Sequence, residues 1–269
     1  MNLFISFSGG KTSAYMTKWL LDNKSEDYEE VVILFANTGQ ENEETLSFVN
    51  RCDKEWGLGV VWVEAKVDPE FGQGTKHNLV SYETASRKGE PFEEVIKKYG
   101  IPNKAGMFCT RELKLAPMRS YIRSLGWKNG EYQTAIGIRI DEMDRVSSKM
   151  VEENIIYPLI EFKKVSKGMV NEYWLKQPFT LNLREHEGNC KDTPEIFDFP
   201  IRMEKIYGRT GNHTMDESRV FFRDRKSGLD ILEESKQPFE PFREKQINID
   251  MFNFDMDAAN GCSESCEVY

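Results

Sequence analysis

Leu3-Phe4-Ile5-Ser6-Phe7-Ser8-Gly9-Gly10-Lys11-Thr12-Ser13 carries the sharpest signal in the chain: an apolar run, a double glycine with a lysine, and the start of a helical pattern. The apolar run reads as a buried strand, and Thr12 to Asp22 reads as a helix. Between them, glycines let the backbone turn tightly and approach an anion. The helix N-terminus directs free N–H groups and the positive end of its dipole at that anion, and Lys11 adds a full charge. Ser8, Gly9, Gly10, Lys11, Thr12 and Ser13 are therefore predicted to cradle a phosphate or sulfate. The bland alternative is a glycine turn capped by Thr12 or Ser13. A Walker A loop is excluded, because that pattern needs a glycine where Ile5 stands.

Outward from this stretch the pattern repeats. Val31 to Phe35 is a second buried strand. Thr45, Phe48, Val49, Cys52 and Trp56 share one face of a helix from about Asn42 to Trp56, with Gly57 as its stop, and Val60 to Val63 is a third strand. Continuous apolar strands separated by helices predict an α/β fold: a mostly parallel central sheet of five or six strands with helices on both faces. Ligands of such sheets sit at the carboxyl ends of the strands. Phe71 to about Gly89 reads as an irregular loop over that site, Pro91 to Tyr99 as a helix, Thr110 to Leu125 as a basic helix, and Tyr132 to Ile138 as a further strand. Residues 1–190 are expected to form the nucleotide-binding domain. Residues 191–269 form a smaller, irregular extension with a small, polar, cysteine-bearing tail.

The 269 residues include 36 basic and 45 acidic side chains, a net charge of −9, with 39% hydrophobic and 12% aromatic residues. That is too much core material for disorder, and no continuous apolar run suits a membrane span. The negative balance gives no global field toward nucleic acid or anionic lipid, so any anion site must be local. Met1 to Ser6 has no basic segment or long apolar run marking export, which places the chain in a reducing cytoplasm. Its five cysteines, at 52, 109, 190, 262 and 266, are odd in number and scattered, unlike a secreted disulfide framework.

Ser8 to Ser13 resembles the PP-loop of the adenine nucleotide alpha hydrolase superfamily. Four further segments make the chain similar to the phosphoadenosine phosphosulfate (PAPS) reductase family, especially its branch in phages and mobile elements. Phe35-Ala36-Asn37-Thr38-Gly39-Gln40, with Glu44-Thr45 beyond, is similar to the family's Asp-Thr-Gly followed by Glu-Thr, with Asn37 in place of the acid. Cys109-Thr110-Arg111-Glu112-Leu113-Lys114-Leu115-Ala116-Pro117-Met118 is similar to Cys-Cys-x-x-Arg-Lys-x-x-Pro-Leu. Gly137-Ile138-Arg139-Ile140-Asp141-Glu142, with Arg145, is similar to Gly-x-Arg-x-x-Glu-Ser-x-x-Arg. Tyr157-Pro158-Leu159-Ile160 leads to a Gly188-Asn189-Cys190 turn. The resemblance covers residues 3 to 190.

It implies an enzyme that binds an adenine nucleotide. Asn37, Thr38 and Gly39 would contact adenine and ribose, with Gly137 beside them in the pocket. Lys11, Arg111, Lys114, Arg139 and Arg145 would hold the anionic groups, arginine supplying a planar fork for phosphate or sulfate. With PAPS as substrate the chemistry is reductive, and a thioredoxin-like protein is the reductant. With ATP and magnesium the same loop would serve adenylation that drives sulfur transfer to tRNA or DNA. A nucleotide sensor without turnover is a third reading. Homodimers are common among relatives, although no interface is legible here.

Cys52 falls on the apolar face of its helix and reads as core. The family's cluster-bearing branch holds a [4Fe-4S] cluster on two cysteine pairs, of which this chain keeps one member each, Cys109 and Cys190. Cys262 and Cys266 complete the four thiolates in one reading, for a cluster or for zinc with His186 as a further ligand. In a second, Cys262 or Cys266 attacks the nucleotide's sulfur, which makes these two and Lys11 the catalytic candidates. In a third, both are free thiols. The family's tail motif, Glu-Cys-Gly-x-His, is absent.

Overall fold

The computed structural model describes residues 1–70, 72–102, 108–183, 197–210, 218–222 and 225–236. Strand β1 (Asn2–Ser6) leads through the glycine turn into helix α1 (Lys11–Lys24). Then come β2 (Val31–Asn37), α2 (Glu43–Trp56), β3 (Val61–Lys66) and β4 (Lys76–Val80). Helix α3 (Glu90–Tyr99) precedes a short α4 (Phe108–Thr110), a π-helical turn (Arg111–Leu115) and α5 (Ala116–Ser124). Strand β5 (Tyr132–Ala135), a 3₁₀ turn (Ile140–Arg145), β6 (Ile155–Ile156), α6 (Pro158–Glu161) and α7 (Lys167–Leu175) follow. Beyond them lie α8 (Asp198–Tyr207) and α9 (Gly228–Ser235).

The six strands form one sheet in the order β4-β3-β2-β1-β5-β6, parallel throughout except for β3 against β4. The alternation of a strand's side chains explains why the central strands are apolar along their whole length. On β1, Leu3 and Ile5 join the core that packs against α1, α2 and α7. Phe4 faces the other way, with Val32, Leu34 and Val63, onto Met118 and Ile122 of α5. Helix α2 begins with the Asn42 side chain accepting from the Glu44 N–H at 3.0 Å, and it ends at Gly57 with φ +62°.

The structure corrects several expectations. The segment expected to be an irregular loop contains β4, an antiparallel edge strand. Its exposed residues, Lys76, Asn78 and Leu79 among them, hide it from hydrophobic periodicity. Strand β5 stops at Ala135, three residues before its expected end, and Ile136 to Ile138 continue as a loop. The expected basic helix over Thr110 to Leu125 is not one regular helix. Pro117 has no N–H to donate back to Leu113, and just before it the ladder opens into a π turn in which the Ala116 N–H reaches the Arg111 carbonyl.

Of the C-terminal region, α8 packs Phe199 and Met203 onto Ile96 and Ile101. Glu204 of α8 accepts from the Gly228 N–H at the start of α9, at 2.9 Å. Among the described residues, no helix is long and apolar enough to cross a membrane.

Candidate functional site

The chain runs outward from β1 through β2 to β3, then returns to place β5 on the other side of β1. Ligands of doubly wound sheets bind at such a reversal, here at the carboxyl ends of β1 and β5. The loop after β1 is the glycine turn, and the loop after β5 carries Gly137 and Arg139.

Gly9 adopts φ +81°, and a Cβ there would lie 2.7 Å from Thr45 Cγ2 and 3.1 Å from Phe35. Only glycine fits this close turn over α2. Gly10 caps α1 without a side-chain hydrogen bond. The first intrahelical bond runs from the Ala14 N–H to the Gly10 carbonyl at 3.0 Å. The N–H groups of Lys11, Thr12 and Ser13 are therefore left without an acceptor inside the helix. Ser8 donates to the Ser13 hydroxyl at 3.0 Å, and Ser13 donates to the Gly10 carbonyl at 3.0 Å, which fixes the rim of the turn. From behind, the buried indole of Trp174 on α7 donates to the Lys11 carbonyl at 3.0 Å.

Gly137 brings the second loop against the first. A Cβ there would meet Ser13 Cα at 3.1 Å and Ser13 N at 3.3 Å, so a larger residue requires the loop after β5 or the start of α1 to give way slightly. Two residues on, Arg139 donates to Thr12 Oγ1 at 2.8 Å. Glu142 organises this guanidinium. Its Oε1 takes Arg145 Nη1 at 2.8 Å and Arg139 Nη2 at 3.2 Å, while Oε2 accepts from the Arg139 N–H at 3.3 Å. Asp141 takes Arg139 Nε at 3.2 Å. Burial works to raise the Asp141 carboxyl, but hydrogen bonds from Arg139 and two backbone N–H groups, with the Arg139 charge, hold it below its ordinary range.

The structure thus brings Ser8 to Ser13, Gly137, Arg139 and Arg145 to one place. The charges there do not add up to a bare basic cleft, because two arginines face two carboxylates. Lys11 differs: among the described residues its ammonium has no hydrogen-bonding or ionic partner, so it and the helix terminus supply the net positive potential.

Arg111 and Lys114 lie on the π turn. Arg111 pairs with Glu112 at 2.8 Å, and Glu112 also accepts from Thr75. Lys114 is buried. Asn37, at the end of β2, is fully buried and already engaged. Its amide donates to Glu64 Oε1 at 2.6 Å and to the Ser86 carbonyl at 2.8 Å, and its Oδ1 accepts from the Gly39 N–H at 3.2 Å. Thr38 donates to the buried Glu41 at 3.0 Å.

Glu41, Glu64 and the tie from Trp174 were not legible from sequence. For Glu64 the usable signal was a carboxylate inside an apolar strand, which must find donors when buried.

Cys52 is buried on α2, and desolvation pushes its thiol far up, which fits an inert core residue. Cys109 is half-buried against Ala65, Val95 and Leu113. Cys190, Cys262, Cys266 and His186 lie outside the described residues. Among the described residues no three His, Cys, Asp or Glu side chains gather to hold a metal, so of the four thiols in the cluster reading only Cys109 is placed.

The phosphoadenosine phosphosulfate reductase domain matches residues 2–154 of the chain. The chain belongs to this family. Among relatives of the PAPS reductase family member described here, nin region protein ORF290 of Escherichia phage lambda is 31% identical over 98% of this chain and 94% of its own length. A protein of Methanocaldococcus jannaschii is 33% identical over 44% of this chain, which spans only 22% of that relative. PAPS reductase from Candida auris, solved as a phosphate complex, is similar at 16% identity and a TM-score of 0.40, covering 68% of this chain and 75% of that one. The family, its nucleotide-binding character and its phage branch agree with the sequence motifs.

Proposed function

We propose that this PAPS reductase family member seats an anionic group of an adenine nucleotide on Ser8 to Ser13 and reduces a nucleotide-bound sulfate. The supporting observation is the convergence at the sheet's switch point of an uncapped α1 N-terminus, a Lys11 ammonium without a partner among the described residues, and Arg139 held against Thr12. Helix N–H groups and a point charge together suit a tetrahedral anion.

In this reading the substrate is PAPS. A cysteine thiolate attacks the sulfur, and the S–O bond to the 5′-phosphate breaks. Adenosine 3′,5′-bisphosphate leaves with that electron pair, and the cysteine carries the sulfonate. A dithiol reductant of the thioredoxin class then attacks the cysteine sulfur, sulfite departs, and the dithiol ends as a disulfide. Lys11 and the α1 terminus stabilise the negative charge that develops on the leaving phosphate. The attacking thiol is assigned to Cys262 or Cys266 by resemblance alone.

Purified protein incubated with PAPS and reduced thioredoxin is expected to yield sulfite and adenosine 3′,5′-bisphosphate. AMP and pyrophosphate from ATP and magnesium with RNA or DNA would replace reduction by adenylation. Tight nucleotide binding with no product in either mixture would leave a sensor.

A further inference from the structure

Helix α7 is bonded to both loops of the anion site, one at each end. At its start the Lys167 N–H donates to Asp141 Oδ1 at 3.1 Å, and just before it the Val165 carbonyl accepts from the Ile140 N–H at 3.1 Å. Asp141 is the carboxylate that takes Arg139 Nε, so this end of α7 is tied to the guanidinium that reaches Thr12. Near the other end, about 10 Å along the helix axis, the Trp174 indole donates to the Lys11 carbonyl at 3.0 Å.

Peptide planarity places the Lys11 carbonyl in one rigid unit with the Thr12 N–H, at the opposite edge. That N–H is among those left without an acceptor inside α1. A donor on the carbonyl therefore fixes the direction of the N–H and polarises it, both in the sense an anion needs. The indole itself is held firmly. Trp174 is 3% exposed, with its ring edge to face with Phe48 at 5.0 Å, and Trp56 and Phe179 lie at 5.7 and 5.8 Å.

We propose that Trp174 is a positioning residue of the anion site, aiming the Thr12 N–H through the Lys11 carbonyl and, through α7, fixing that N–H against Arg139. The proposal rests on the reading of Ser8 to Ser13 as a cradle and adds to it a residue that acts from the core.

The test combines calorimetric titration of adenosine 3′,5′-bisphosphate into the full chain, thermal melts, and amide hydrogen exchange without nucleotide. Trp174→Phe should weaken binding about fivefold, and so should replacement of Trp174 by benzothienylalanine, which keeps the ring shape but puts sulfur in place of the N–H. Trp56→Phe trims the same aromatic cluster and leaves the bond to Lys11 in place. It should lower the melting temperature with affinity unchanged. Exchange in the first turn of α1 and in the loop after β5 should quicken in both Trp174 variants and not in Trp56→Phe. If Trp174→Phe does not fold, the isosteric replacement decides. Parent affinity in the isosteric replacement, or an equal loss of affinity in Trp56→Phe, would overturn the proposal. A parent that binds no bisphosphate would refute the cradle instead, and exchange then decides the role of Trp174: faster rates at both loops support it, and unchanged rates overturn it.

Discussion

Asn37→Asp is the substitution that best exposes how the end of β2 is built, because it restores the acid the family carries there. Asn37 is fully buried, and its amide nitrogen lies 2.6 Å from Glu64 Oε1 and 2.8 Å from the Ser86 carbonyl. The same Glu64 carboxylate also accepts from the Ser86 N–H at 2.6 Å and from its hydroxyl at 2.9 Å. An aspartate turns the one amide donor into an acceptor facing two others, and places a second carboxylate against the first. Losing a charge-assisted and a neutral hydrogen bond inside the core, with like-charge repulsion added, should cost about 3 to 5 kcal/mol at pH 8. The cost depends on pH with a defined sign. The two carboxyls of the variant must share a proton, so the folded pKa of the pair lies above the unfolded value of about 4. The deficit is therefore smallest in acid and grows as pH rises through the folded pKa. Urea unfolding of both proteins at pH 5 and pH 8 measures it, with Asn37→Ala as the control that removes the donor without adding charge. An aspartate variant as stable as the parent at pH 8, or one whose deficit is the same at both pH values, would refute the reasoning.

Three further outcomes are expected. Gly137→Ala should weaken binding of adenosine 3′,5′-bisphosphate about tenfold with a small change in melting temperature, because its Cβ presses on Ser13 rather than into the core; calorimetry and thermal melts check both halves. Asp141 is held below its ordinary range, so its grip on Arg139 persists above about pH 4 and is lost as pH falls through its depressed folded value; Asp141→Asn should remove that acid limb from a pH titration of nucleotide binding. In the folded protein, iodoacetamide should label Cys109 well before Cys52, whose thiol is buried and pushed up; mass spectrometry of timed digests reads the order.

The parts of the fold that sequence made legible are those where one local signal dominates. The apolar run Val31 to Phe35 is buried on both faces from Val32 onward, which is the mark of an interior strand. Asn42 and Gly57 bracket α2 because cap chemistry is local. Strand β4 escaped because an edge strand with exposed Lys76, Asn78 and Leu79 has no apolar period to read. Within the site, the glycine turn was visible because Gly9 and Gly10 serve a conformation that few residues reach.

The pairing of the arginines was not visible, although Asp141 and Glu142 stood in the same motif. Charge counting registers cations and anions separately, and the position of Glu142 between Arg139 and Arg145 depends on the 3₁₀ turn that follows β5. Trp174 and Lys11 are 163 positions apart, and only packing of α7 on α1 joins them.

The central claim is that Ser8 to Ser13, with Lys11, is an anion cradle for an adenine nucleotide. Calorimetric titration of adenosine 3′,5′-bisphosphate into the parent protein and Lys11→Ala, at one fixed salt concentration, tests it most directly. Saturable one-to-one binding that weakens at least about tenfold in the variant is the expected result. Equal affinity in the two proteins, both folded, would contradict it.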